Sequence, residues 1–359
     1  MASLDLDRIR TIVVTGGAGF LGSHIVDDLL HHCPNARIRV LDSFTYAADM
    51  AHLDAAFRSG RVTLQEGDVG NLDLVTEVLK DADLVVHAAG ESHVERAFSV
   101  PERFTLANAL GTQVLVEAMG RRRVPLMIHI SSAEVYGTGT GGNGAPVGEL
   151  APLLPDNPHG ASKAAAEMLI AGLTRSFGVD IRVLRPVNVV GTRQNTEKLL
   201  PRFLELAAVG RPLPVHGDGA QMRAFVTMAD FCAALRAVVT RGAENATYNV
   251  AGDELFDILT VARMVLDAVQ EPVSGVNFVT GRPDNVSRPP LDTRALKALG
   301  WQAKGTLRRE LPALAAWYGA RIPQALRRQI RDVPDLAPQR VQAVTQAAGS
   351  SLFRSLERH

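Results

Sequence analysis

The sequence predicts a doubly wound α/β fold, in which helices cover both faces of a parallel sheet, followed by a smaller C-terminal domain. Short apolar, β-branched runs alternate with segments of helical apolar spacing through the first half of the chain. This alternation is typical of a parallel sheet. The first apolar run ends in the glycine-rich stretch TGGAGFLG, and a helical pattern opens directly after it. Beyond about residue 190 the alternation loosens, and prolines and glycines interrupt it.

The strand and helix candidates follow one another in chain order. We expect strands in the runs IRTIVVTGG, RIRVLDS, RVTLQEGDV, ADLVVHAAG, PLMIHISSAEVYG and DIRVLRPVNVVG. We expect helices in AGFLGSHIVDDLLHH, NLDLVTEVLKD, FTLANALGTQVLVEAM and GASKAAAEMLIAGLTRSFG. Each strand candidate is therefore followed by enough chain for a crossover helix, as a parallel sheet requires.

Charge and composition exclude several classes of protein. The 359 residues carry 38 basic and 38 acidic side chains, so no net charge favours nucleic acid or an anionic membrane as the partner. No apolar run has the length of a signal peptide or a membrane span, and we therefore expect a cytoplasmic protein. Cys33 and Cys232 form neither a metal-ligand spacing nor a disulfide framework, which predicts two buried thiols and no metal.

The stretch TGGAGFLG carries the first chemical signature. Its glycines, Gly16, Gly19 and Gly22, stand as G-x-x-G-x-x-G between a strand and a helix. A pyrophosphate needs this pattern because the backbone must approach it closely while the amides of a helix N-terminus face its charge. Phe20 and Leu21 begin that helix. The sequence therefore predicts a Rossmann dinucleotide-binding site.

An acidic residue, Asp42 in VLDS, ends the second predicted strand. A carboxylate there accepts the adenosine ribose hydroxyls and repels a 2′-phosphate, so NAD is favoured over NADP as the cofactor. The stretch EGDV places Asp68 and Val69 near the adenine, although a turn-capping role explains Asp68 equally well. The stretch HAAG places Ala88 and Ala89 beside the cofactor.

These signals give the predicted domain boundaries. We expect the NAD-binding Rossmann domain over residues 1–187, with a return of the chain to it at about 225–252. A smaller substrate-binding cap takes mainly residues 188–320. A helical tail takes residues 321–359, in which the sequence carries no chemical signature.

Several stretches, in order along residues 8–318, resemble one known family. They are TGGAGFLGSH, TYAADMAHL, ESHVERA, SSAEVYG, the helix that contains Lys163, EKLLP, DGAQMRAFV and RPDNVSRPPLDTRALKALGW. Together they resemble the extended short-chain dehydrogenase/reductases, and most closely the nucleoside-diphosphate-glucose (dTDP-glucose type) 4,6-dehydratases. The resemblance implies a bound NAD, oxidation of a nucleotide-linked sugar at C4, loss of water across C5 and C6, and return of the hydride to C6.

The catalytic tyrosine of that family is replaced here. In NPHGASK, Lys163 of the Tyr-x-x-x-Lys motif is retained, but His159 stands at the position of the tyrosine. The resemblance assigns Lys163 to the nicotinamide ribose and to activation of the base. A neutral imidazole is a competent base at about pH 7, and a neighbouring ammonium would keep it neutral. The alternative is that His159 only begins a helix in a site that has lost C4 oxidation.

A second departure lies in SSAEVYG. By the resemblance, Ser132 binds the C4 oxygen and Glu134 removes the C5 proton, but Ala133 stands where the family has the aspartate that protonates the leaving C6 hydroxyl. Loss of a general acid costs about 10²–10⁴-fold in rate. The Ser-Ala pair also resembles sugar 4-epimerases, and the Ser-x-Glu arrangement resembles nucleotide-sugar decarboxylases. C4 or C5 epimerisation, uronate decarboxylation and a catalytically silent nucleotide-sugar-binding homologue therefore stay open.

The resemblance further implies a nucleoside-diphosphate sugar as the substrate, whose diphosphate calls for cations and amides. The implied substrate-binding residues are His93, Asn188, Lys198, Arg223, Arg282 and Arg288. In the family, two helices of each subunit pair across a two-fold axis. The corresponding helices here, FTLANALGTQVLVEAM and GASKAAAEMLIAGL, are rich in small and apolar residues on more than one face. The expected assembly is a homodimer.

Overall fold

The computed structural model describes residues 5–138, 145–269, 275–281 and 286–322. The strands are β1 Thr11–Thr15, β2 Arg37–Asp42, β3 Val62–Glu66, β4 Leu84–His87, β5 Leu126–Ile130, β6 Asp180–Pro186, β7 Asn188–Val190, β8 Leu213–His216, β9 Met222–Thr227, β10 Thr247–Val250, β11 Leu255–Asp257 and β12 Val276–Val279. The α-helices are α1 Phe20–His32, α2 Asp54–Phe57, α3 Leu72–Val78, α4 Val94–Ser99, α5 Pro101–Phe104, α6 Gly111–Arg122, α7 Pro158–Phe177, α8 Leu199–Ala208, α9 Met228–Arg241, α10 Ile258–Ala268, α11 Arg294–Ala298 and α12 Leu307–Arg321. Beyond Ile322, the predicted helical tail lies outside the described residues.

Seven strands form one parallel sheet in the order β10-β6-β5-β4-β1-β2-β3. The sheet confirms the predicted doubly wound Rossmann fold. Its strand order reverses between β1 and β4, and in such sheets the ligand site lies at this point, beyond the carboxyl ends of the strands. Thr15, at the end of β1, stands level with Leu41 on one side and His87 on the other.

The central strands β1, β4 and β5 are largely apolar because they are buried on both faces of the large sheet. Ile12 and Val14 face a core that includes residues of α1 and α9. Val13, between them, faces a second core that includes residues of α3, α6 and α7. Side chains that alternate between two buried faces give the continuous apolar runs seen in the sequence.

A third core lies outside the large sheet. It joins α8, α10 and α12 to two small sheets, β11-β9-β7 and β12-β8. The chain reaches this part directly from β6, because the single run DIRVLRPVNVV divides into two strands that belong to different sheets. Pro186 ends the first of them, since it has no N–H with which to continue the ladder.

The chain returns to the large sheet after it has begun the small ones. Helix α9 packs in the main core, and β10 extends the edge of the large sheet beside β6. Leu296 and Trp301 also belong to the main core, a further return that the sequence pattern does not indicate. None of the helices in the described part of the chain has the length and apolar character needed to cross a membrane.

Candidate active site

A cavity of about 990 Å³ opens at the carboxyl ends of the large sheet's strands. Its walls include seventeen of the predicted site residues, which are Gly16, Gly19, Phe20, Leu21, Gly22, Asp42, Asp68, Val69, Ala88, Ala89, Ser132, Glu134, His159, Lys163, Asn188, Lys198 and Arg288. A smaller cavity of about 180 Å³ shares Glu134, Asn188 and Lys198 with it and adds His93 and Arg223. Arg282 lies outside the described residues.

The turn after β1 is shaped for close backbone approach. Gly16 has a positive φ of 68°, and a Cβ at this position would lie 2.7 Å from the backbone of Ala89. A Cβ on Gly22 would collide with the Gly16 carbonyl. Helix α1 therefore begins directly after the glycine-rich loop. The backbone amides at its N-terminus have no hydrogen-bond acceptor within the helix, and they face the cavity. This cradle fits the pyrophosphate of a dinucleotide.

Asp42 is held rigidly at the edge of the cavity. Its Oδ2 accepts a hydrogen bond from the Ala18 amide and its Oδ1 accepts one from the Phe44 amide, both at 2.9 Å. Burial raises the pKa of this carboxyl, and the backbone amides oppose that shift. Asp68 makes the turn-capping contact that was one of its two predicted roles, because its Oδ1 accepts a hydrogen bond from the Gly70 amide at 2.7 Å. It also lines the cavity.

Lys163 lies on the buried face of α7. Its Nζ donates a hydrogen bond to the carbonyl oxygen of Ile130, at the end of β5, over 2.9 Å. Burial lowers the pKa of its ammonium to about 8, while the Glu167 carboxylate opposes the shift. The side chain is therefore a fixed cation at the floor of the cavity near neutral pH.

His159 lies in the first turn of the same helix. It is buried, its ring stands edge-on to Phe104 at 6.2 Å between centroids, and its Nδ1 has no hydrogen-bond partner within the described residues. Burial holds the pKa of the imidazole well below its usual value, and the cations of Lys198, Lys163 and Arg288 lower it further. The ring is thus neutral at pH 7, and burial contributes more to this than the neighbouring ammonium that the sequence suggested.

Ser132 and Glu134 lie on the turn that follows β5. The Ser132 Oγ accepts a hydrogen bond from the Glu134 amide at 3.1 Å and begins a short 3-10 turn over Ala133–Tyr136. The Glu134 Oε2 accepts from Asn157 Nδ2 at 2.8 Å and pairs with Arg288 Nη2 at 2.6 Å. Ala133 also lines the cavity, so this position offers no proton donor.

The predicted substrate-binding residues in the described part of the chain all have contacts within the protein. Arg288 bridges two carboxylates, since it also reaches Asp156 at 2.7 Å. Lys198 Nζ donates to the Ser92 carbonyl oxygen at 2.5 Å. The remaining contacts are Arg223 Nη1 to the carbonyl oxygens of Met222 and Val286, Asn188 Nδ2 to the Ala224 carbonyl oxygen at 3.0 Å, and His93 Nδ1 to Glu197 Oε2 at 3.6 Å.

A buried ion pair beneath the site was missed by the sequence analysis. Glu167 accepts from Arg185 Nη2 and from Ser131 Oγ, both at 2.5 Å, and Arg185 Nη1 also donates to the Tyr136 hydroxyl at 2.6 Å. These bonds tie α7 to β6 and to the turn after β5. Glu167 stands four residues after Lys163, on the same face of the helix, and Arg185 interrupts an apolar strand; together these two features could have indicated the pair.

Comparison with known proteins agrees with this geometry. The model of the NAD dependent epimerase/dehydratase family matches residues 12–251. A trifunctional UDP-glucose 4,6-dehydratase, 3,5-epimerase and 4-keto-L-rhamnose reductase of Arabidopsis thaliana is 37% identical over 315 residues, which are 86% of this chain and 47% of the relative. The chain thus spans about half the length of that protein.

Two solved structures extend the comparison. The dTDP-glucose 4,6-dehydratase of Streptomyces venezuelae, solved with NAD, matches with a TM-score of 0.82 and 32% identity, over 87% of this chain and 97% of that one. The UDP-glucuronic acid 4-epimerase of Bacillus cereus, solved with UDP-glucuronic acid and NAD, matches with a TM-score of 0.81 and 25% identity, over 86% of this chain and 99% of that one. Both a dehydratase and an epimerase are therefore similar in fold.

Proposed function

Because the chain belongs to the NAD dependent epimerase/dehydratase family, as an extended short-chain dehydrogenase/reductase, we propose that it modifies a nucleoside-diphosphate sugar through a 4-keto-sugar. NAD is the cofactor, and it supplies the acceptor for the C4 hydride and the source from which the hydride returns. The reaction that we infer first is 4,6-dehydration. The sugar loses hydride from C4 and the proton of the C4 hydroxyl, then a proton from C5 and the hydroxyl from C6. It regains hydride at C6 and a proton at C5, so that water leaves without net oxidation.

One observation carries the proposal, namely the buried, neutral imidazole of His159 in the same cavity as Lys163. Oxidation at C4 needs a base for the hydroxyl proton, and only a neutral imidazole accepts one. The Nδ1 atom of His159 is fully buried and has no protein partner in the described part of the chain, so we assign the role of base to the other ring nitrogen, Nε2. The Ser132 hydroxyl, which accepts from the Glu134 amide, keeps its proton for a hydrogen bond to the C4 oxygen.

Glu134 is the group that we assign to the C5 proton. A 4-ketone acidifies that proton, and the Glu134 carboxylate faces the same cavity as His159. The leaving C6 hydroxyl also needs a proton, and Ala133 cannot supply it. This absence favours C4 or C5 epimerisation, or decarboxylation of a uronate, as the second candidate, because neither reaction expels a hydroxyl from C6.

The substrate diphosphate would lie between the two cavities, where Lys198 and Arg288 line the larger and Arg223 the smaller. His93 and Asn188 would approach the sugar and the nucleotide from the same walls. Arg282 belongs to this proposal by resemblance alone. The 188–320 cap remains the predicted substrate-binding part, joined to the predicted Rossmann domain over 1–187.

We also infer a cytoplasmic homodimer. Leu106 and Leu110, before α6, and Met168, on α7, are exposed; the first two also line the main cavity. Exposed apolar side chains on these helices suit a two-fold contact between copies. Cys33 and Cys232 are free thiols, which persist in a reducing compartment. Size-exclusion chromatography with light scattering would test the assembly.

A panel of nucleoside-diphosphate sugars, read by mass spectrometry, tests the reaction. Loss of water is the expected outcome and identifies a dehydratase. Loss of carbon dioxide, or a product of unchanged mass but altered stereochemistry, would replace dehydration by the second candidate. A chain that binds the sugars yet gives no product and no NADH absorbance would be a silent homologue, and the proposal would then be wrong.

A further inference from the structure

Asn157 makes two contacts that link separate parts of the candidate active site. It is 4% exposed and precedes α7 as its N-cap residue, where its Oδ1 accepts a hydrogen bond from the Gly160 amide at 2.8 Å. Its Nδ2 donates to the Glu134 Oε2, also at 2.8 Å. One buried amide group therefore spans the start of the helix that carries His159 and the carboxylate on the turn after β5.

The orientation of this amide is fixed by chemistry. The Gly160 amide is a donor, so the Asn157 oxygen must face it and the NH2 group must face Glu134. An NH2 group only donates, and an ionised carboxylate only accepts. The contact therefore holds the Glu134 carboxylate in one position.

A second observation supports tight registration between the two segments. A Cβ on Gly160 would lie 2.6 Å from the Glu134 carbonyl oxygen. The helix start and the turn after β5 therefore approach each other backbone to backbone, which only a glycine at position 160 permits. Arg288 also holds Glu134, but it comes from the distant C-terminal segment and shares its guanidinium with Asp156.

We propose that Asn157 is a positioning residue that sets the Glu134 carboxylate, the base for the C5 proton, relative to His159, the base for the C4 hydroxyl. This inference rests on the proposed function. A displacement of about 1 Å in a reacting group can cost about 10²-fold in rate. Loss of the Asn157 donor therefore acts on the C5 step, whereas C4 oxidation, which depends on His159 and Lys163, continues.

The variants N157S and N157D separate this role from helix capping. Serine and aspartate cap helices about as well as asparagine, so both variants are expected to keep the melting temperature. N157S removes the donor to Glu134. N157D sets a second carboxylate against Glu134, which disfavours ionisation of both. Asp257, the N-cap of α10, provides a matched control as D257S, a cap exchange on a helix of the third core.

The experiment follows the sugar that is active in the panel, in deuterated buffer. For N157S we expect C5 deuterium incorporation to fall about 10- to 100-fold, while transient NADH formation and the melting temperature stay within about twofold and a few degrees of the wild type. For N157D we expect the midpoint of the pH profile of C5 exchange to rise. D257S should exchange at the wild-type rate. Wild-type exchange in a folded N157S would overturn the proposal.

A crystal structure of N157S gives a readout that does not need turnover. We expect the Glu134 carboxylate to leave its position beside the N-terminus of α7, and a carboxylate that stays in place would overturn the inference. If the wild-type chain neither exchanges nor converts any sugar, the proposed function is wrong. The crystal structure then decides the positioning role alone.

Discussion

The phenol of Tyr46 donates a hydrogen bond to the Glu197 Oε1 over 2.9 Å. Tyr46 belongs to the loop after β2, whose residues Thr45 and Ala47 line the main cavity, and Glu197 lines the same cavity from the segment before α8. The Arg96 guanidinium stacks 3.7 Å from the centroid of the tyrosine ring. The hydrogen bond therefore joins the loop after β2 to the segment before α8, which form two walls of the cavity.

We expect Y46F to release NAD faster, because it removes a hydrogen bond that joins two walls of the cavity in which we place the cofactor. A hydrogen bond to a charged, partly exposed group contributes about 1 kcal/mol, so the dissociation rate should rise about fivefold. Cofactor content after gel filtration and the rate of NAD displacement measure this. E197Q keeps an acceptor for the phenol and serves as the control. Wild-type retention in Y46F would show that the contact does not confine the cofactor.

The pH dependence of C4 oxidation should report His159. Its pKa lies well below the usual value, because of burial and the nearby cations, and only the neutral ring accepts a proton. We therefore expect NADH formation to stay level as the pH falls through about 6.5 and to decline only at lower pH. H159A should lose about 10²–10⁴-fold, whereas H159Y restores the family's residue and should retain oxidation. An unchanged rate and pH profile in H159A would mean that the imidazole only fills space.

Glu134 can be tested at its own step. E134Q keeps the size of the side chain but removes the basic oxygen, so solvent deuterium incorporation at C5 should stop while NAD binding and C4 oxidation persist. Mass spectrometry of the product in deuterated buffer measures the exchange. Undiminished exchange in E134Q would remove Glu134 from the mechanism and favour a simple C4 epimerase.

His129 provides a prediction about stability. It is fully buried, and neither ring nitrogen has a partner among the described residues. Burial, with Lys163 nearby, holds its pKa well below 6.5. Below about pH 6.5 the unfolded chain takes up a proton that the folded chain does not, so the free energy of unfolding falls by about 1.4 kcal/mol per pH unit for such a histidine.

H129L removes the two buried ring nitrogens that lack hydrogen-bond partners, and it removes the group whose protonation favours the unfolded chain in acid. We expect its free energy of unfolding to rise by about 1–3 kcal/mol at pH 7 and to fall less steeply in acid. Urea denaturation at pH 7 and at pH 5.5 measures both effects. The adjacent His87 is the control, because its ring nitrogens bond Thr15 at 2.7 Å and Thr112 at 2.9 Å, so H87L should destabilise the protein. A less stable H129L would contradict the account.

The sequence predicted the large sheet because its central strands are buried on both faces, which produces continuous apolar runs such as TIVVT. The glycine spacing was equally legible, since a side chain at Gly16 or Gly22 has no room. The sequence did not indicate that Thr105–Leu110 forms a π-helical turn within a predicted helix. Within that turn, Asn108 forms hydrogen bonds with the Glu91 backbone and the Ser162 hydroxyl. These are tertiary contacts, and they leave no periodic pattern in the sequence.

Pairings between distant residues were likewise beyond the sequence. Arg288 could be read only as a cation for the substrate, whereas the structure pairs it with Glu134 and Asp156. Glu167 and Arg185 stand out in the sequence as charged residues on buried elements, but that they pair with each other depends on where α7 packs against β6. Local sequence patterns indicate which residues are buried and which backbone conformation they adopt. Which charged residue pairs with which depends on the path of the whole chain.

The late entry of β10 into the large sheet limits how this molecule can be recombined with its relatives. A gene segment that encodes residues 188–320 supplies most of the walls of the smaller cavity. It also supplies strand β10 of the large sheet and two residues of the main core, Leu296 and Trp301. A chimaera that exchanged this segment as one piece would also replace a strand of the large sheet and part of the main core of the recipient protein. Changes of substrate in such a scaffold are therefore accessible through point substitutions, or through joint exchange of several short pieces, rather than through a single crossover.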